Sequence, residues 1–411
     1  MNALDLIYIL GALVSAPLWL RKRRAGWSER FGRVAPMLSE RAPTGRKRVL
    51  LHAVSVGEVN ALRPLAPLLA DADVIISTTT DTGLARAQAL FADTCEVVRY
   101  PLDFSWSVSR FLRLVKPDAV ALVELELWPN FLGGCRKRAI PVGVINGRLS
   151  ERSFKGYRRF RPAVGRMFRS LEFAAVQDDA YAERFHEMGV PTGRCQVTGS
   201  MKWDSWDVSG DAVHASAEAC RLGEALGIDP VRPLIVAGST GPGEEALLRD
   251  ACPPGVQLAC APRKPERFDE AAAALEPCAR RSRGGAQAGD RFLLDSIGEL
   301  GLLYQLADIS VVGRSFGDLH GSDPIEPVAL GAPTLIGPRY GDFASIVDSL
   351  REAGGIEVVE RESLGARLSG LLADEEARTG LAARGRACIR ERQGASARHA
   401  DLLLGLVRGV G

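Results

Sequence analysis

A carboxylate stands where a strand should end and a helix begin, in the stretch HAVSVGEVNAL at residues 52–62. The apolar run Val49–Leu51 precedes it, and a Ser-Val-Gly turn leads to Glu58. An acidic residue near a helix N-terminus is favoured by the helix dipole alone. The same turn can also present Glu58 as a general base at the mouth of an α/β sheet. Both interpretations fit this stretch, so the rest of the chain has to decide between them.

Two loops in the second half of the chain suit an anionic nucleotide. The run PLIVAG is followed by Ser239, Thr240 and a glycine-containing stretch, in which backbone N–H groups can approach a phosphate. The run VQLACA is followed by Arg263 and Lys264, which place two cations at the carboxyl end of a strand. Open α/β sheets bind their ligands at that edge, so both loops are candidates for a binding site.

A third loop of the same kind follows the run ADISVVG and covers residues 314–331. Ser315 lies in this loop, Pro324 opens a helix, and Glu326 falls in the first turn of that helix. A carboxylate in this place can accept both hydrogen bonds of a ribose diol, although a Glu in a first turn is also a simple dipole-favoured cap. Taken together, the three loops predict a nucleotide site.

Three stretches of the first half carry candidate residues for a second substrate. They are STTTDTG at residues 77–83, VELELWPN with Glu124 and Glu126, and a basic segment at residues 148–161. This basic segment is either a solvated helix face or an electropositive collar for a phosphorylated acceptor or anionic lipid. Its cations are Arg148, Arg152, Lys155, Arg158, Arg159 and Arg161.

The elements that must position these residues are typical of an α/β protein. From Arg48 onward, short apolar runs alternate with amphipathic stretches, which is typical of a parallel sheet with crossover helices. The alternation pauses at residues 201–216, which indicates a linker, and then restarts. Two doubly wound halves predict two facing Rossmann-like domains with a cleft between them, as in nucleotide-sugar transferases of the GT-B class. The strand-like runs cover residues 48–54, 73–80, 95–101, 118–124, 140–146, 173–177, 195–199, 232–240, 256–263, 291–295, 307–313 and 332–338.

Composition excludes several other classes of function. The 411 residues carry 52 basic and 50 acidic side chains, and a net charge of +2 is too small for a general nucleic-acid binder. No GxxxxGK followed by Ser or Thr is present, which excludes a P-loop, and no GxGxxG follows a first strand. The eight cysteines form no CxxC pair, so we expect reduced thiols and no metal site.

The N-terminus departs from a soluble pattern. The run Ala3–Leu20 is almost wholly apolar, and the basic cluster Arg21–Arg24 follows it directly. A secretory signal peptide would carry its basic residues before the apolar core, so we expect a retained membrane anchor at residues 1–24. The run either spans a bilayer marginally or lies in the interface, with the basic cluster on the cytoplasmic leaflet. The alternative is an ordinary buried helix.

The stretches above, taken together, resemble one family closely: the 3-deoxy-D-manno-octulosonic acid (Kdo) transferases of lipopolysaccharide synthesis. The similar stretches keep their order and spacing from about Trp27 to about Pro338. They are ERFGR, HAVSVGEVNALRPL, STTTDTG, YPLDF, ELELWPN, INGRLSERSFKGYRR, VTGSMKWD, GSTGPGEE, APRKPERF, DSIGELGLLYQLADISVVGRSF and DPIEPVALGAPTLIGP.

The resemblance implies a GT-B glycosyltransferase that moves Kdo from CMP-Kdo to a hydroxyl of the lipid A precursor, with inversion at the anomeric carbon. It implies neither a catalytic metal nor a cofactor, and no nucleic-acid partner. The location would be the cytoplasmic side of the inner membrane. The expected domains are the anchor at 1–24, an acceptor domain at 25–205 and a donor domain at 206–411, whose last helix could pack back on the acceptor domain.

The resemblance also assigns roles to individual residues. Glu58 would be the general base. The acceptor would be bound or supported by Glu124, Glu126, Asn146, Arg148 and Lys202. The donor would be held by Ser239, Thr240, Arg263, Lys264, Ile297, Gly298, Glu299, Ser315, Asp323 and Glu326.

The chain departs from the family pattern at four donor-side positions. Gly241 and Lys264 each stand where the family usually has His, and Ser322 and Asp323 stand where it has His-Asn. Asp323 adds a negative charge near an anionic donor, which is unfavourable unless an arginine such as Arg339 pairs with it. Two alternatives therefore stay open: a transferase for a different CMP-activated acidic sugar, and a catalytically silent, membrane-tethered protein that binds the CMP-sugar or lipid A.

Overall fold

The computed structural model describes residues 2–14, 26–34, 45–210, 215–284 and 289–408. The basic cluster Arg21–Arg24 and the end of the apolar run, which belong to the predicted anchor, lie outside these residues. The chain forms two compact units. Unit 1 comprises Met1–Ser205 and Gln393–Gly411, and unit 2 comprises Trp206–Arg392.

Unit 1 is built on a seven-stranded parallel sheet with the strand order β3-β2-β1-β4-β5-β6-β7. The central strands are apolar on both faces because helices cover both sides of the sheet. Alternate residues therefore enter different cores: Leu50 and Leu122 pack on one face, and Leu51 and Val123 pack on the other. The strands are β1 (Arg48–His52), β2 (Asp73–Thr78), β3 (Glu96–Arg99), β4 (Ala119–Val123), β5 (Val142–Gly147), β6 (Phe173–Val176) and β7 (Cys195–Val197).

Crossover helices connect the strands of unit 1. The helix at Ser105–Val115 carries an apolar stripe, in which Val108, Phe111, Leu112 and Val115 recur at helical spacing and are all buried. The helices are α1 (Ala3–Val14), α2 (Trp27–Arg30), α3 (Val56–Ala61), α4 (Asp81–Phe91), α5 (Ser105–Val115), α6 (Pro129–Arg136), α7 (Glu151–Arg159), α8 (Arg161–Arg169) and α9 (Asp179–Met188).

Unit 2 contains a second seven-stranded parallel sheet, in the order β10-β11-β9-β8-β12-β13-β14. Its strands are β8 (Leu234–Thr240), β9 (Gln257–Pro262), β10 (Ala279–Arg280), β11 (Arg291–Leu293), β12 (Ile309–Val312), β13 (Thr334–Ile336) and β14 (Glu357–Val358). Its helices are α10 (Ala217–Leu226), α11 (Glu244–Ala251), α12 (Phe268–Leu275), α13 (Leu300–Tyr304), α14 (Ile325–Ala329), α15 (Ala344–Glu352), α16 (Leu364–Ala373) and α17 (Glu375–Arg392).

The last helix, α18 (Ala395–Arg408), belongs to unit 1. The carboxylate of Asp204 accepts hydrogen bonds from the backbone N–H of Gly394 (2.7 Å) and of Ser396 (2.5 Å), which fixes the start of this helix. Leu403 lies in the same core as the central strands of the sheet. The chain therefore returns to unit 1 for its last helix after it has formed unit 2.

The α/β class with two parallel sheets is confirmed. Every strand-like run of the sequence corresponds to a strand, but β10 and β14 were missed. These two strands have two residues each and lie at the edges of their sheet, so they carry no alternation long enough to detect.

The described part of the N-terminal apolar run is helix α1, and its apolar side chains point away from unit 1. Leu6, Ile7, Leu10 and Leu13 are each more than half exposed, whereas Asp5 is fully buried. The alternative of an ordinary buried helix therefore does not fit this part of the run. Among the described residues, every helix is either too short or too polar to cross a bilayer.

Candidate functional site

The first group of candidate residues follows the central strands of unit 1. The strand order reverses between β1 and β4, and such a switch point is where open α/β sheets bind ligands. Glu58 follows β1, Glu124 follows β4 directly, and Asn146 lies near the end of β5. The topology therefore brings together residues that are far apart in sequence.

Glu58 forms a capping box at the start of α3. Its Oε2 accepts the N–H of Val54 at 2.8 Å, and its Oε1 accepts the hydroxyl of Ser55 at 2.7 Å and the N–H of Ser55 at 3.2 Å. The Ser55 hydroxyl in turn accepts the N–H of Glu58 at 3.3 Å. The cap interpretation is thus confirmed. A carboxylate has about four acceptor positions. These three bonds leave one acceptor position open, on Oε2. The role of Glu58 as a base stays a prediction.

The stretch STTTDTG holds the turn that carries Glu58. The hydroxyl of Thr80 donates to the carbonyl of Val54 at 2.8 Å and accepts the N–H of Gly83 at 3.0 Å, so one side chain caps α4 and fixes the turn. A Cβ on Gly83 would lie 2.9 Å from the Val54 carbonyl oxygen, which is too close. The glycine is therefore required for the approach of α4 to this turn.

Glu124 and Glu126 form an acidic group with Glu58, and we call residues 124–128 the acid loop. Burial raises the pKa of Glu124, the charge of Glu58 adds to this, and Arg148 and Lys202 oppose it. Burial also raises the pKa of Glu126 to about 7, with further contributions from Glu58 and Glu124.

The backbone of the acid loop is itself strained. Glu124 adopts a φ of +59°, which is uncommon for a residue other than glycine and is found most often at functional sites. At the other end, the indole N–H of Trp128 donates to Oε2 of Glu126 at 2.9 Å. The loop therefore carries backbone strain at its first residue and a side-chain hydrogen bond at its last.

The raised pKa of Glu126 predicts a stability that falls as the pH rises. The folded protein binds this proton more tightly than the unfolded chain, so the contribution is complete below pH 4.5 and is lost as the pH passes about 7. In Glu126→Gln the side chain stays neutral, so we expect a smaller drop in Tm between pH 5 and pH 8. Thermal unfolding at both pH values measures this, with the exposed Glu183→Gln as control. An unchanged drop would contradict the assignment.

Asn146 has a supporting position rather than an open one. Its side chain is buried, and its Oδ1 accepts the backbone N–H of Met201 at 3.1 Å. The backbone N–H of Asn146 donates to Nε2 of His399 at 2.7 Å. It thereby joins the end of β5 to α18 and to the residue before Lys202. His399 could not be predicted from sequence, because its partner lies 253 residues away.

The basic segment lies on the surface of α7 and the start of α8, except for the half-buried Arg148, which precedes α7. Arg152, Arg159 and Arg161 are exposed, and Lys155 pairs with Glu151 at 2.6 Å on the same helix. A solvated helix face is therefore what the structure describes. Its role as a collar for an acceptor or lipid stays a prediction.

In unit 2, the loops at the carboxyl ends of β8 and β12 are joined by one buried carboxylate. Glu244 is only 2% exposed. It accepts the backbone N–H groups of Gly241 (2.7 Å), Arg314 (2.6 Å), Ser315 (2.9 Å) and Phe316 (3.0 Å). We call this arrangement the Glu244 nest. Sequence analysis missed it, because the two loops are about 70 residues apart and Glu244 reads as an ordinary first-turn acid.

The hydroxyls of the predicted donor ligands Thr240 and Ser315 are engaged within unit 2. Thr240 is buried and donates to Glu245 at 2.5 Å. Ser315 is buried, donates to the carbonyl of Val312 at 2.6 Å and accepts the N–H of Gly337 at 2.8 Å. These side chains hold the loops in place. Ser239 is half-buried and adopts a φ of +56°, so strain is localised where β8 ends.

Three cations follow β9, and they differ in environment. Arg263 and Lys264 are exposed, as expected for residues that meet a ligand. Arg267 is buried and pairs with Glu245 at 2.9 Å and with Glu270 at 3.0 Å, so it is a structural residue.

The predicted stretch Ile297–Glu299 is also a surface feature. Ile297 is 71% exposed, and Gly298 adopts a φ of +96°, a conformation that favours glycine. Glu299 accepts a hydrogen bond from Ser296 and pairs with Arg281 at 3.0 Å, and the bond from Arg281 holds the pKa of Glu299 below its ordinary value.

The departures from the family pattern have a local physical basis. Oδ1 of Asp323 accepts the N–H of Ile325 at 3.0 Å, which caps the start of α14. The amide oxygen of an asparagine could accept the same bond, so Asp323 is a structural equivalent that adds a charge. Ser322 is buried, and its hydroxyl has no hydrogen-bond partner among the described residues. Glu326 lies close to α13, since a Cβ on Gly301 would be 2.9 Å from its Oε1.

Within the described ranges, the cysteine and acidic side chains form neither a disulfide nor a metal-binding group. All eight cysteines are free thiols. No group of three or more His, Cys, Asp or Glu side chains in these ranges is arranged to hold a metal ion.

The fold is similar to that of GT-B-like glycosyltransferases. A glycosyltransferase from Rickettsia africae superposes with a TM-score of 0.61 at 10% identity, covering 88% of this chain and 99% of the other. A family model described as 3-deoxy-D-manno-octulosonic-acid transferase (kdotransferase) matches residues 25–205.

Relatives extend that match over both units. The 3-deoxy-D-manno-octulosonic acid transferase of Bordetella pertussis is 32% identical, covering 97% of this chain and 98% of the relative. The transferase of the same name from Haemophilus influenzae is 31% identical, covering 86% of each chain. The chain belongs to the Kdo transferase family.

Proposed function

We propose that the protein transfers Kdo from CMP-Kdo to a hydroxyl of the lipid A precursor. The observation that carries this proposal is the match to a Kdo transferase over 97% of the chain, which includes the loops of both units. We assign the acceptor to unit 1 and the donor to unit 2.

The acceptor hydroxyl is activated by Glu58. The hydroxyl oxygen forms a bond to the anomeric carbon of Kdo, the bond from that carbon to the phosphate oxygen breaks, and CMP leaves with the electron pair. The hydroxyl proton passes to the remaining acceptor position on Oε2 of Glu58. Because the attacking alcohol becomes acidic only late in the reaction, a well-placed carboxylate is sufficient as base.

The leaving CMP is stabilised by the loops of unit 2. Arg263 and Lys264 are exposed cations at the carboxyl end of β9, and cationic side chains neutralise charge that develops on a leaving phosphate. Glu326 accepts the ribose hydroxyls from the first turn of α14. The Glu244 nest keeps the intervening loops in place. This arrangement requires no metal ion.

The test is transfer from CMP-Kdo, generated in situ, to a tetraacylated lipid A precursor, followed by mass spectrometry. We expect a mass increase of one or more Kdo units, and the spectrum also counts the sugars added. No increase while CMP still binds would overturn Kdo as the donor. Transfer of another CMP-activated acidic sugar would then support a changed donor pocket at Ser322 and Asp323, and no transfer at all would support a silent binding protein.

We further propose that unit 1 contacts the cytoplasmic face of the inner membrane through α1. The support is the inverted arrangement of this helix: Asp5 faces the protein, whereas Leu6, Ile7, Leu10 and Leu13 face outward. Exposed apolar side chains on one helix face are typical of interfacial helices.

A series of aromatic rings continues from α1 across unit 1. Tyr8 contacts Phe104 at 6.0 Å between ring centroids, Phe104 contacts Trp106 at 5.7 Å, Trp106 contacts Phe31 at 5.3 Å, and Phe31 contacts Trp27 at 6.1 Å. The two tryptophans of the series, Trp106 and Trp27, are partly exposed. Tryptophan favours the membrane–water interface, so the series extends the proposed contact.

The membrane contact predicts a large effect of one charge on α1. Leu10→Asp places a carboxylate where an apolar side chain would enter the bilayer, and it forfeits burial worth about 1.5–3 kcal/mol. We therefore expect at least about tenfold weaker binding to vesicles of anionic and zwitterionic phospholipid, measured by flotation. The exposed Leu68 outside α1 offers a matched control, Leu68→Asp. Equal flotation of Leu10→Asp and the unaltered protein would refute this contact.

A further inference from the structure

Helix α1 is bound to the rest of unit 1 through a buried carboxylate. Oδ1 of Asp5 accepts the N–H of Ser105 at 2.7 Å, and its Oδ2 accepts the Ser105 hydroxyl at 2.6 Å. These bonds lie at the start of α5, whose N-cap residue is Phe104 and has no side-chain group for a cap. Asp5 therefore supplies from α1 the cap that α5 lacks.

The same carboxylate reaches the start of α6. The amide nitrogen of Asn130 donates to Oδ1 of Asp5 at 3.3 Å, and the amide oxygen of Asn130 accepts from the side chain of Asn2 at 2.8 Å. Asn130 is buried. Asn2, which precedes α1, and Asp5, which lies within it, thus both contact the side chain of Asn130 in the first turn of α6.

A second bond from α1 reaches the cap of α6. The hydroxyl of Tyr8 donates to Oδ2 of Asp103 at 3.1 Å. The carboxylate of Asp103 also accepts the N–H of Asn130 at 3.0 Å and the N–H of Phe131 at 2.8 Å, so it caps α6. Asp5 and Tyr8 therefore act on the same helix start from two sides.

Helix α6 begins where the acid loop ends. Trp128 is the N-cap residue of α6, and its indole binds Glu126. The position of the first turn of α6 therefore fixes the end of the loop that presents Glu124 and Glu126. This gives a continuous set of bonds from Asp5 through Asn130 to the acid loop.

We propose that Asp5 is a positioning residue for the acid loop, so that α1 supports the reaction as well as the proposed membrane contact. The proposal rests on the transferase function proposed above. It predicts that the loss of this contact lowers turnover even when the acceptor is presented in detergent micelles, where membrane binding is not needed.

The physical effect of removing the carboxylate is displacement of the start of α6. In Asp5→Ala the N–H and hydroxyl of the half-buried Ser105 lose their acceptor, which is unfavourable. Displacements of about 1 Å in groups around a reaction can lower rates by up to about 10²-fold. We expect kcat to fall by about tenfold or more, with the KM for CMP-Kdo changed less than about threefold.

The conservative variant separates positioning from a general loss of structure. In Asp5→Asn the amide oxygen can still accept from Ser105, so we expect most of kcat to return. Tyr8→Phe removes only the bond to Asp103, and we expect an intermediate kcat. Gly11→Ala is the matched control on α1, because a Cβ there meets no atom within 4 Å.

Hydrogen exchange tests the coupling without turnover. We expect faster amide exchange in residues 124–131 of Asp5→Ala than of the unaltered protein or of Gly11→Ala. Wild-type kcat in micelles, a loss that Asp5→Asn does not recover, or unchanged exchange in the acid loop would each overturn the proposal. Absence of Kdo transfer by the unaltered protein would instead contradict the proposed function, and the exchange measurement would still decide the coupling.

Discussion

Glu58→Gln is expected to lower kcat by about 10²–10⁴-fold while it leaves the fold and CMP binding intact. The variant removes the base but keeps the capping box, because glutamine serves as well as glutamate at the third position of this motif. The amide oxygen of the variant can still accept from the N–H and hydroxyl of Ser55, as Oε1 does, and only the bond from the Val54 N–H to Oε2 is lost. Turnover and Tm measured on the same preparation separate the two roles.

A second variant removes the cap and leaves the base. In Ser55→Ala the hydroxyl bonded to Glu58 is lost, which costs about 0.5–2 kcal/mol of stability as for other N-caps. We expect a lower Tm with kcat within a few-fold of the unaltered protein. Glu58→Ala should show both effects at once. Near-normal turnover by Glu58→Gln would refute the base assignment and point to Glu124 or Glu126.

The sheets could be predicted because their strands are buried on both faces. The runs around Leu51 and Val236 are apolar throughout, and such runs bounded by polar loops indicate parallel strands. The edge strands β10 and β14 could not be predicted, because pairing of two residues depends on a neighbour rather than on their own pattern.

The candidate site could be located from sequence, but its energetics could not. The turn that carries Glu58 could be predicted because it follows a buried strand. The raised pKa of Glu126 arises from burial and from Glu58 and Glu124, and Glu58 belongs to a different segment of the sheet edge. Asp5 is a second example. The sequence shows only a charge that weakens an apolar run, whereas in the structure Asp5 is one of the residues that bind α1 to the rest of unit 1.

Glu244→Ala is expected to have the largest effect on unit 2. The carboxylate of Glu244 accepts four backbone N–H groups, and removing it leaves them without an acceptor in a buried place. Each buried unsatisfied group costs about 1–3 kcal/mol, so partial relaxation still leaves a loss of at least about 3 kcal/mol. Because these N–H groups belong to the loops after β8 and β12, we also expect CMP affinity to fall by about tenfold or more.

Thermal unfolding and calorimetric titration with CMP measure the two effects of Glu244→Ala. The control is Glu266→Ala, which removes an exposed carboxylate from unit 2 and should change neither quantity. Added acetate provides a rescue experiment, because a small carboxylate can enter the space left by the side chain and accept the same N–H groups. We expect acetate to raise the Tm of Glu244→Ala and not that of Glu266→Ala. Normal CMP binding by Glu244→Ala would show that the donor loops do not depend on the Glu244 nest.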